Sequence, residues 1–271
     1  MNAWHQDWLR ARRPASTEAD GEVDFRCNIC GRNTRAPLSA VSDRETPACP
    51  HCQSSLRMRA LIRALSLELF GKSLTLREFP RNKKILGLGM SDWDGYALPL
   101  AAKLGYTNTY YHQAPRLDIT DITGWQEDRY DFIVSSDVLE HVPPPVSIAF
   151  QNVGRLLKPG GLLVLTVPFT KTGTTQEHFA DLHDYRFFRY AEEQILINRT
   201  RDGREQVFGK LVFHGGDGFT LEMRLFSEPS LVRALEEAGF EHIRVHTEDQ
   251  PDIGVIWPFS WAVPVTARKK R

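Results

Sequence analysis

Tyr130-Asp131-Phe132-Ile133-Val134-Ser135-Ser136-Asp137-Val138-Leu139-Glu140-His141-Val142 is the stretch on which the reading of this chain turns. Its first six residues form a short, largely apolar run, the pattern of a strand buried on both faces. The polar residues after it leave the strand at its carboxyl end, where ligands collect in open α/β sheets. Downstream, Arg155-Leu156-Leu157-Lys158-Pro159-Gly160-Gly161 ends a helix expected from about Val146 to Leu157. A turn at Lys158–Gly161 then feeds Leu162–Val167, the most hydrophobic strand of the chain.

The same alternation extends outward in both directions. Lys84–Gly89 reads as a strand entering a Gly turn, Tyr96–Leu104 as a helix and Thr107–His112 as a second strand. Ser230–Ala238 reads as a helix stopped by Gly239, and His242–Thr247 with Trp261–Ala267 as a closing strand pair. The expected class is α/β, a parallel sheet with helices on both faces. Ahead of it, Leu56, Ala60, Leu61, Ala64, Leu65 and Leu69 mark a helix from Ser54 to Phe70 that ends at Gly71. Residues 169–227 break the rhythm and are rich in His, aromatic and charged residues. An insertion of that size at a strand's carboxyl end suits a lid or substrate-binding segment, against the plainer reading of a surface decoration.

The chain has four cysteines, Cys27, Cys30, Cys49 and Cys52, spaced C-x2-C-x18-C-x2-C. Two residues between the members of each pair let both thiolates of a tight turn face one ion, as a tetrahedral zinc site requires. Gly31 after the first pair suits a left-handed backbone, whereas Gln53 after the second tolerates that bend less comfortably. Two disulfides or four unrelated thiols are the alternative. His51 is expected to point outward.

At 271 residues the chain holds one full-sized domain and a small appendage. The expected division is a flexible leader over 1–22, a four-cysteine module over 23–55 and the α/β domain over 56–271. Met1–Asp20 lacks the apolar core of a signal peptide, and the longest apolar run, Gly161–Phe169, is too short to span a bilayer. A cytoplasmic protein without membrane contact is expected. The formal net charge is +0, but residues 1–84 carry fifteen Lys/Arg against nine Asp/Glu. A basic module of this kind could meet phosphate, with Arg59 and Arg63 on one helix face and Arg57 pointing elsewhere; the plainer reading is a solvated helix face.

Gly87-x-Gly89, the YDFIV…DVLEHV stretch and RLLKPGGLLVLTVP together resemble the class I S-adenosylmethionine-dependent methyltransferases over about residues 83–168. With the four cysteines and SSLRMRAL, the chain resembles more narrowly a bacterial subgroup that carries an N-terminal zinc ribbon. The resemblance implies a Rossmann-like, seven-stranded sheet preceded by that ribbon. It further implies that Gly87 and Gly89 lie under the methionine part of the cofactor and that Asp118 with Ile119 reads the adenine. Ser135 and Ser136 would sit beside the methionine end, and His141 near the methyl group or the substrate mouth.

The chain departs from the family at two points. Gly87 stands where an acid usually ends the first strand, so Asp92 or Asp94 is expected to face the cofactor's ammonium. His112 and Gln113 stand where an acid usually grips the ribose diol, and both can hydrogen-bond it. A hydroxyl acceptor also needs a base, for which the candidates are His141, His178 and His183. The expected function is methyl transfer to an oxygen or nitrogen of a small molecule or glycan precursor, with S-adenosylmethionine and zinc as cofactors. An RNA methyltransferase using the basic module, and a non-catalytic binding module on the same fold, are the rival readings.

Overall fold

The computed structural model describes residues 21–191, 193–214 and 220–271, so the expected leader lies almost wholly outside the described residues. Strands β1 (Glu22–Arg26) and β2 (Asn33–Pro37) pair antiparallel around the first cysteine turn. Helix α1 (Leu38–Ser42) leads to the second turn, and α2 (Leu56–Phe70) starts just beyond it. Gly71 closes α2 in the left-handed region at φ 70°, its N–H donating to the Leu67 carbonyl. Then come β3 (Asn82–Met90), α3 (Asp94–Lys103), β4 (Leu104–Thr109), β5 (Tyr130–Ser136), α4 (Ser147–Leu156) and β6 (Leu157–Thr166). The expected turn at Lys158–Gly161 is therefore drawn into the start of β6, with Gly160 at φ 76°.

The inserted segment carries β7 (Phe169–Thr170), β8 (Gln176–Glu177), β9 (Asp184–Tyr190), β10 (Glu193–Arg199), β11 (Glu205–Phe208) and β12 (Arg224–Ser227). Helix α5 (Glu228–Glu237), capped by the Ser227 side chain accepting from the Ser230 amide, leads to β13 (Phe240–Val245) and β14 (Val265–Lys269).

The central sheet has the order β13-β14-β6-β5-β3-β4, in which β4, β3, β5 and β6 are parallel, β14 runs antiparallel to β6, and β13 antiparallel to β14. The α/β class holds, but among the described residues the sheet has six strands rather than the expected seven. Beyond β4, residues 110–121 make only the isolated bridges Tyr110↔Arg116 and Asp118↔Asp121. The chain there is turn-forming: the Asp118 carboxylate accepts from its neighbour's Thr120 amide, which diverts the backbone from a ladder.

Side-chain alternation assigns the two layers. Phe132, Val134, Leu162 and Val164 pack with Leu61, Leu65 and Leu100 on one face. Ile133, Leu163 and Leu165 pack with Phe150, Val153 and Leu231 on the other. The first face also buries Phe25, Cys27, Ile29, Val41 and Cys49, so the cysteine module and the sheet share one core. Strands β9–β11 form a separate sheet over their own cluster of Phe179, Leu196, Leu221 and Met223. No helix among the described residues is long and apolar enough to cross a membrane.

Candidate active site and metal centre

The two cysteine turns close in the same way. The Gly31 amide donates to the Cys27 carbonyl at 2.7 Å and the Gln53 amide to the Cys49 carbonyl at 2.8 Å. Both Gly31 (φ 73°) and Gln53 (φ 62°) are left-handed, so the second turn bears in a non-glycine residue the bend that glycine accepts without strain. The four ligand atoms lie within 4.8 Å of one another, with Cys27 Sγ 3.6 Å from Cys52 Sγ and Cys30 Sγ 3.8 Å from Cys49 Sγ. Sulfurs about 2.3 Å from a tetrahedral zinc stand about 3.8 Å apart, whereas a disulfide needs about 2.05 Å. All four cysteines are free, and the donor set fits zinc. His51 is exposed, as expected, with its Nδ1 3.3 Å from Arg32.

Arg59 overturns the idea of a phosphate-facing helix. It is fully buried, donating to the carbonyl oxygens of Ser54 at 2.5 Å and Gly254 at 2.7 Å, with its guanidinium over the Phe25 ring. A cation spent on backbone carbonyls beneath the module is not available to an external anion.

A cavity of about 1250 Å³ opens at the carboxyl ends of β3, β4 and β5. It exceeds the roughly 300–1,000 Å³ usual for one small ligand, leaving room for two. Its floor includes Met90, Ser91, Trp93, Tyr96 and Ser136; its β4 end includes His112, Asp118, Ile119 and Thr120. Asp118 Oδ1 accepts from both the Thr120 amide and its hydroxyl, leaving Oδ2 as an acceptor for a ligand. From the inserted segment come Tyr185, Phe187, Phe213, His214 and Leu221.

One wall is charged and comes from far apart in the sequence. Arg44 grips Asp137 with two hydrogen bonds of 2.7 Å each, while Arg57 donates to Glu45 at 2.8 Å and lies 3.2 Å from Asp137. Arg57 also donates to the Ser136 hydroxyl, and Arg44 to Glu45. Burial alone would raise the Asp137 pKa, but the two guanidinium groups outweigh it and hold the carboxyl well below the usual range. Asp137 itself sits at φ 52°, a strained conformation for a non-glycine residue, fixed by this pairing and by its N–H donating to the Thr166 carbonyl.

Beyond Asp137 along the same loop, the cavity lining takes in Glu140 and His141, joined by His214 from the insertion. Glu140 is 1% exposed and its Oε2 has no hydrogen-bond partner; burial, then the nearby Asp137 charge, pushes its pKa well up. His141 Nδ1 is 3.0 Å from the Leu221 carbonyl oxygen, so Nδ1 carries the proton and Nε2 is the basic nitrogen. Burial lowers the His141 pKa, which keeps the ring neutral. The His214 ring is 5.5 Å from the His141 ring, and its Nε2 meets Glu222 Oε2 at 2.7 Å.

A family model described as a methyltransferase domain matches residues 73–245. The chain belongs to that family. It carries a methyltransferase domain built on a central, mostly parallel sheet. Among solved structures it is similar to a Burkholderia thailandensis 1,6-didemethyltoxoflavin-N1-methyltransferase (16% identity, 78% of this chain and 79% of that one, TM-score 0.42). It is also similar to an S-adenosylmethionine-dependent methyltransferase of Clostridium acetobutylicum (12%, 78% and 90%, 0.44). A third likeness is the sugar N-methyltransferase KedS8 of a Streptoalloteichus species (14%, 78% and 85%, 0.41). None of the curated proteins matches the sequence.

The methyltransferase brings His112, Asp118, Ile119, Ser136 and His141 together around the cavity. The other expected site residues stand back from it. Gly87 makes room for Phe132, whose ring would lie 2.1 Å from an added Cβ, and an added Cβ on Gly89 would meet the Tyr106 hydroxyl at 1.9 Å. Both glycines thus serve packing beneath the floor. Ser135 is buried inside the sheet, away from the cavity lining. Asp92 is buried below the floor, where the Tyr96 and Tyr106 hydroxyls donate to it and burial pushes it up to about 7.

His178 is one layer removed, holding Glu222 Oε1 at 3.0 Å. His183 is exposed and away from the cavity lining, which corrects its expected role as a base: a base must reach the proton it takes. Sequence reasoning missed Arg44, Glu45 and Glu222, single charged residues without a motif, and gave Arg57, inside SSLRMRAL, no role in the site. His214 and Glu140 carried a faint signal, one in the His-rich insertion and the other inside DVLEHV.

Proposed function

We propose that this methyltransferase transfers a methyl group to a protic oxygen or nitrogen of a small molecule or glycan precursor, with His141 as the base. S-adenosylmethionine, when bound, supplies an electrophilic methyl on a sulfonium. Asp118 and Ile119 would hold the adenine, His112 the ribose, and Ser136 would face the methionine end. The observation that carries the reading is His141 on the cavity wall, neutral by burial and fixed as its Nδ1–H tautomer by the Leu221 carbonyl. Its Nε2 would take the acceptor's proton as the new bond forms. The aromatic side chains from the insertion would position the acceptor and exclude water, the protein's main contribution to such a reaction.

We infer further that one zinc ion is held by Cys27, Cys30, Cys49 and Cys52, and that its role is structural, since four thiolates leave no open coordination position. Thiolate ligation suits a reducing compartment, the cytoplasm. A small-molecule acceptor is favoured over RNA because Arg59, the residue on which a phosphate-docking helix rested, is buried.

The test combines calorimetry with S-adenosylhomocysteine and a methyl-labelled donor offered with cell extract fractionated by size. Cofactor binding with label in the small-molecule fraction, abolished by His141→Ala and without loss of S-adenosylhomocysteine affinity, is the expected result. Label transferred to RNA, or an His141→Ala enzyme at full rate, would defeat it.

A further inference from the structure

The first strand ends without an acid, and Asp92 below the floor is occupied by two tyrosine hydroxyls. The counter-charge for an α-amino acid must therefore come from another quarter of the cavity. Resting on the cofactor reading above, we propose that Arg57, Glu45 and Asp137, braced by Arg44, form the subsite for the amino-acid end of the cofactor. The four-cysteine module then builds part of the cofactor site rather than standing beside it.

The chemistry of the ligand and the lining of the cavity lead there. An amino-acid head presents a carboxylate and an ammonium on one carbon, so its site needs both signs close together. Arg44 and Arg57 are the Lys/Arg side chains among the described residues that line the cavity, and Glu45 and Asp137 adjoin them. Arg44 and Arg57 outweigh the effect of burial and hold both carboxyls below their usual range, so both signs are present at neutral pH.

The location also fits. Met90 pairs with Ser135 across the sheet, which puts Ser136, the partner of Arg57, beside Ser91 at the tips of β3 and β5. The adenine candidates Asp118 and Ile119 follow β4, on the other side of β3 in the strand order. A ligand reading adenine there extends its other end toward the quartet.

The hydrogen-bond capacities divide the labour. Arg44 donates from Nε to Ala262, from Nη1 to Glu45 and Asp137, and from Nη2 to Asp137; it is a brace. Arg57 Nη1 donates to a neutral hydroxyl, Ser136, which can rotate and become a second donor when a carboxylate arrives. Arg57 and Ser136 would take the carboxylate, and Asp137 with Glu45 the ammonium. Arg44 and Glu45 lie between Cys30 and Cys49 in sequence, so an ion held by the four cysteines would anchor the loop that carries them at both ends.

The experiment compares S-adenosylhomocysteine with 5′-methylthioadenosine, which keeps the nucleoside and thioether but lacks the amino acid. Titration calorimetry on the zinc-loaded protein is expected to show S-adenosylhomocysteine the tighter ligand. Arg57→Met should weaken it about tenfold or more, as for lost charge-assisted hydrogen bonds, and change methylthioadenosine affinity less than about twofold. Glu45→Gln should move the same ligand in the same direction. Methylthioadenosine binding certifies that each variant is folded. Equal weakening of both ligands, or of neither, overturns the subsite while leaving the cofactor reading standing. A parent protein that binds neither ligand overturns both.

Discussion

Two additions flank the cavity of this sheet, and they are attached by opposite means. The N-terminal module is fused to the sheet through apolar core: Cys27, Ile29, Val41 and Cys49 share a buried cluster with Leu61, Phe132 and Val164. The inserted segment roots its two ends, Phe169 and Phe226, in the core of the sheet, but its outer part keeps its own cluster around Phe179, Leu196, Leu221 and Met223. It meets the loop after β5 through polar contacts, the Met223 amide to the Glu140 carbonyl and Arg224 Nη1 to the Leu139 carbonyl, each at 2.8 Å. An element that shares a core cannot leave without opening that core. One that carries its own can be altered at a polar seam.

The largest effect should follow loss of the metal. Cys49→Ser, or chelation, is expected to lower the melting temperature of the whole protein on the order of 10 °C or more, because the ligands and the sheet's residues pack together. Scanning calorimetry checks this. A ribbon that unfolds separately while the sheet melts unchanged would break the comparison and return the module to the independent unit its sequence suggests.

Next in size are two buried carboxyls of opposite behaviour, one beneath the sheet's cavity floor and one in the insertion. Asp92, under the floor, is pushed by burial up to about 7. The unfolded chain gives up that proton near pH 4, so the folded state binds more protons between about 4 and 7 and loses stability as pH rises through that window. Asp92→Asn should therefore remove a decline of about 2–4 kcal/mol between pH 4 and pH 8. Glu222, in the insertion, is opposed by burial but held down to about 2 by hydrogen bonds with His178 and His214. Its contribution is complete above the ordinary carboxylate range and fades as pH falls toward 2, so Glu222→Gln should lose about 1–3 kcal/mol at pH 7 and less at pH 3. Urea unfolding across pH measures both, and parallel slopes for the two variants would contradict the assignment.

The smallest effect should come from the outer hairpins. Replacing residues 184–208 with a short Gly-Ser linker removes β9–β11 and, with Leu196, part of the insertion's own cluster, but leaves the core shared by the module and the sheet untouched. S-adenosylhomocysteine affinity is expected to stay within about threefold and the melting temperature within a few degrees. A large loss of either would show the insertion to be as deeply fused as the module.

The local features of this protein were legible from the chain alone. The spacing of the cysteines placed four sulfurs within reach of one ion, and Gly31 and Gln53 take the left-handed turns that the spacing demands. Tyr130–Ser136 and Leu162–Val167 announced buried strands because apolar runs need only their own neighbours to be read. The count of strands was less secure, since turn chemistry at Asp118 diverts the segment after β4.

What the tertiary structure alone decided is which polar groups meet. Arg44 reaches Asp137 across 93 residues, Arg57 reaches Ser136 across 79, and Arg59 reaches Gly254 across 195. In the sequence each is one more arginine of a mildly basic segment, indistinguishable from a solvated surface charge. Burial and pairing are properties of the neighbours that folding supplies, and those neighbours lie too far along the chain for any local pattern to record. The sequence therefore determined the layers, the metal spacing and the strand tips, while the packing of the module against the sheet determined which charges those tips carry.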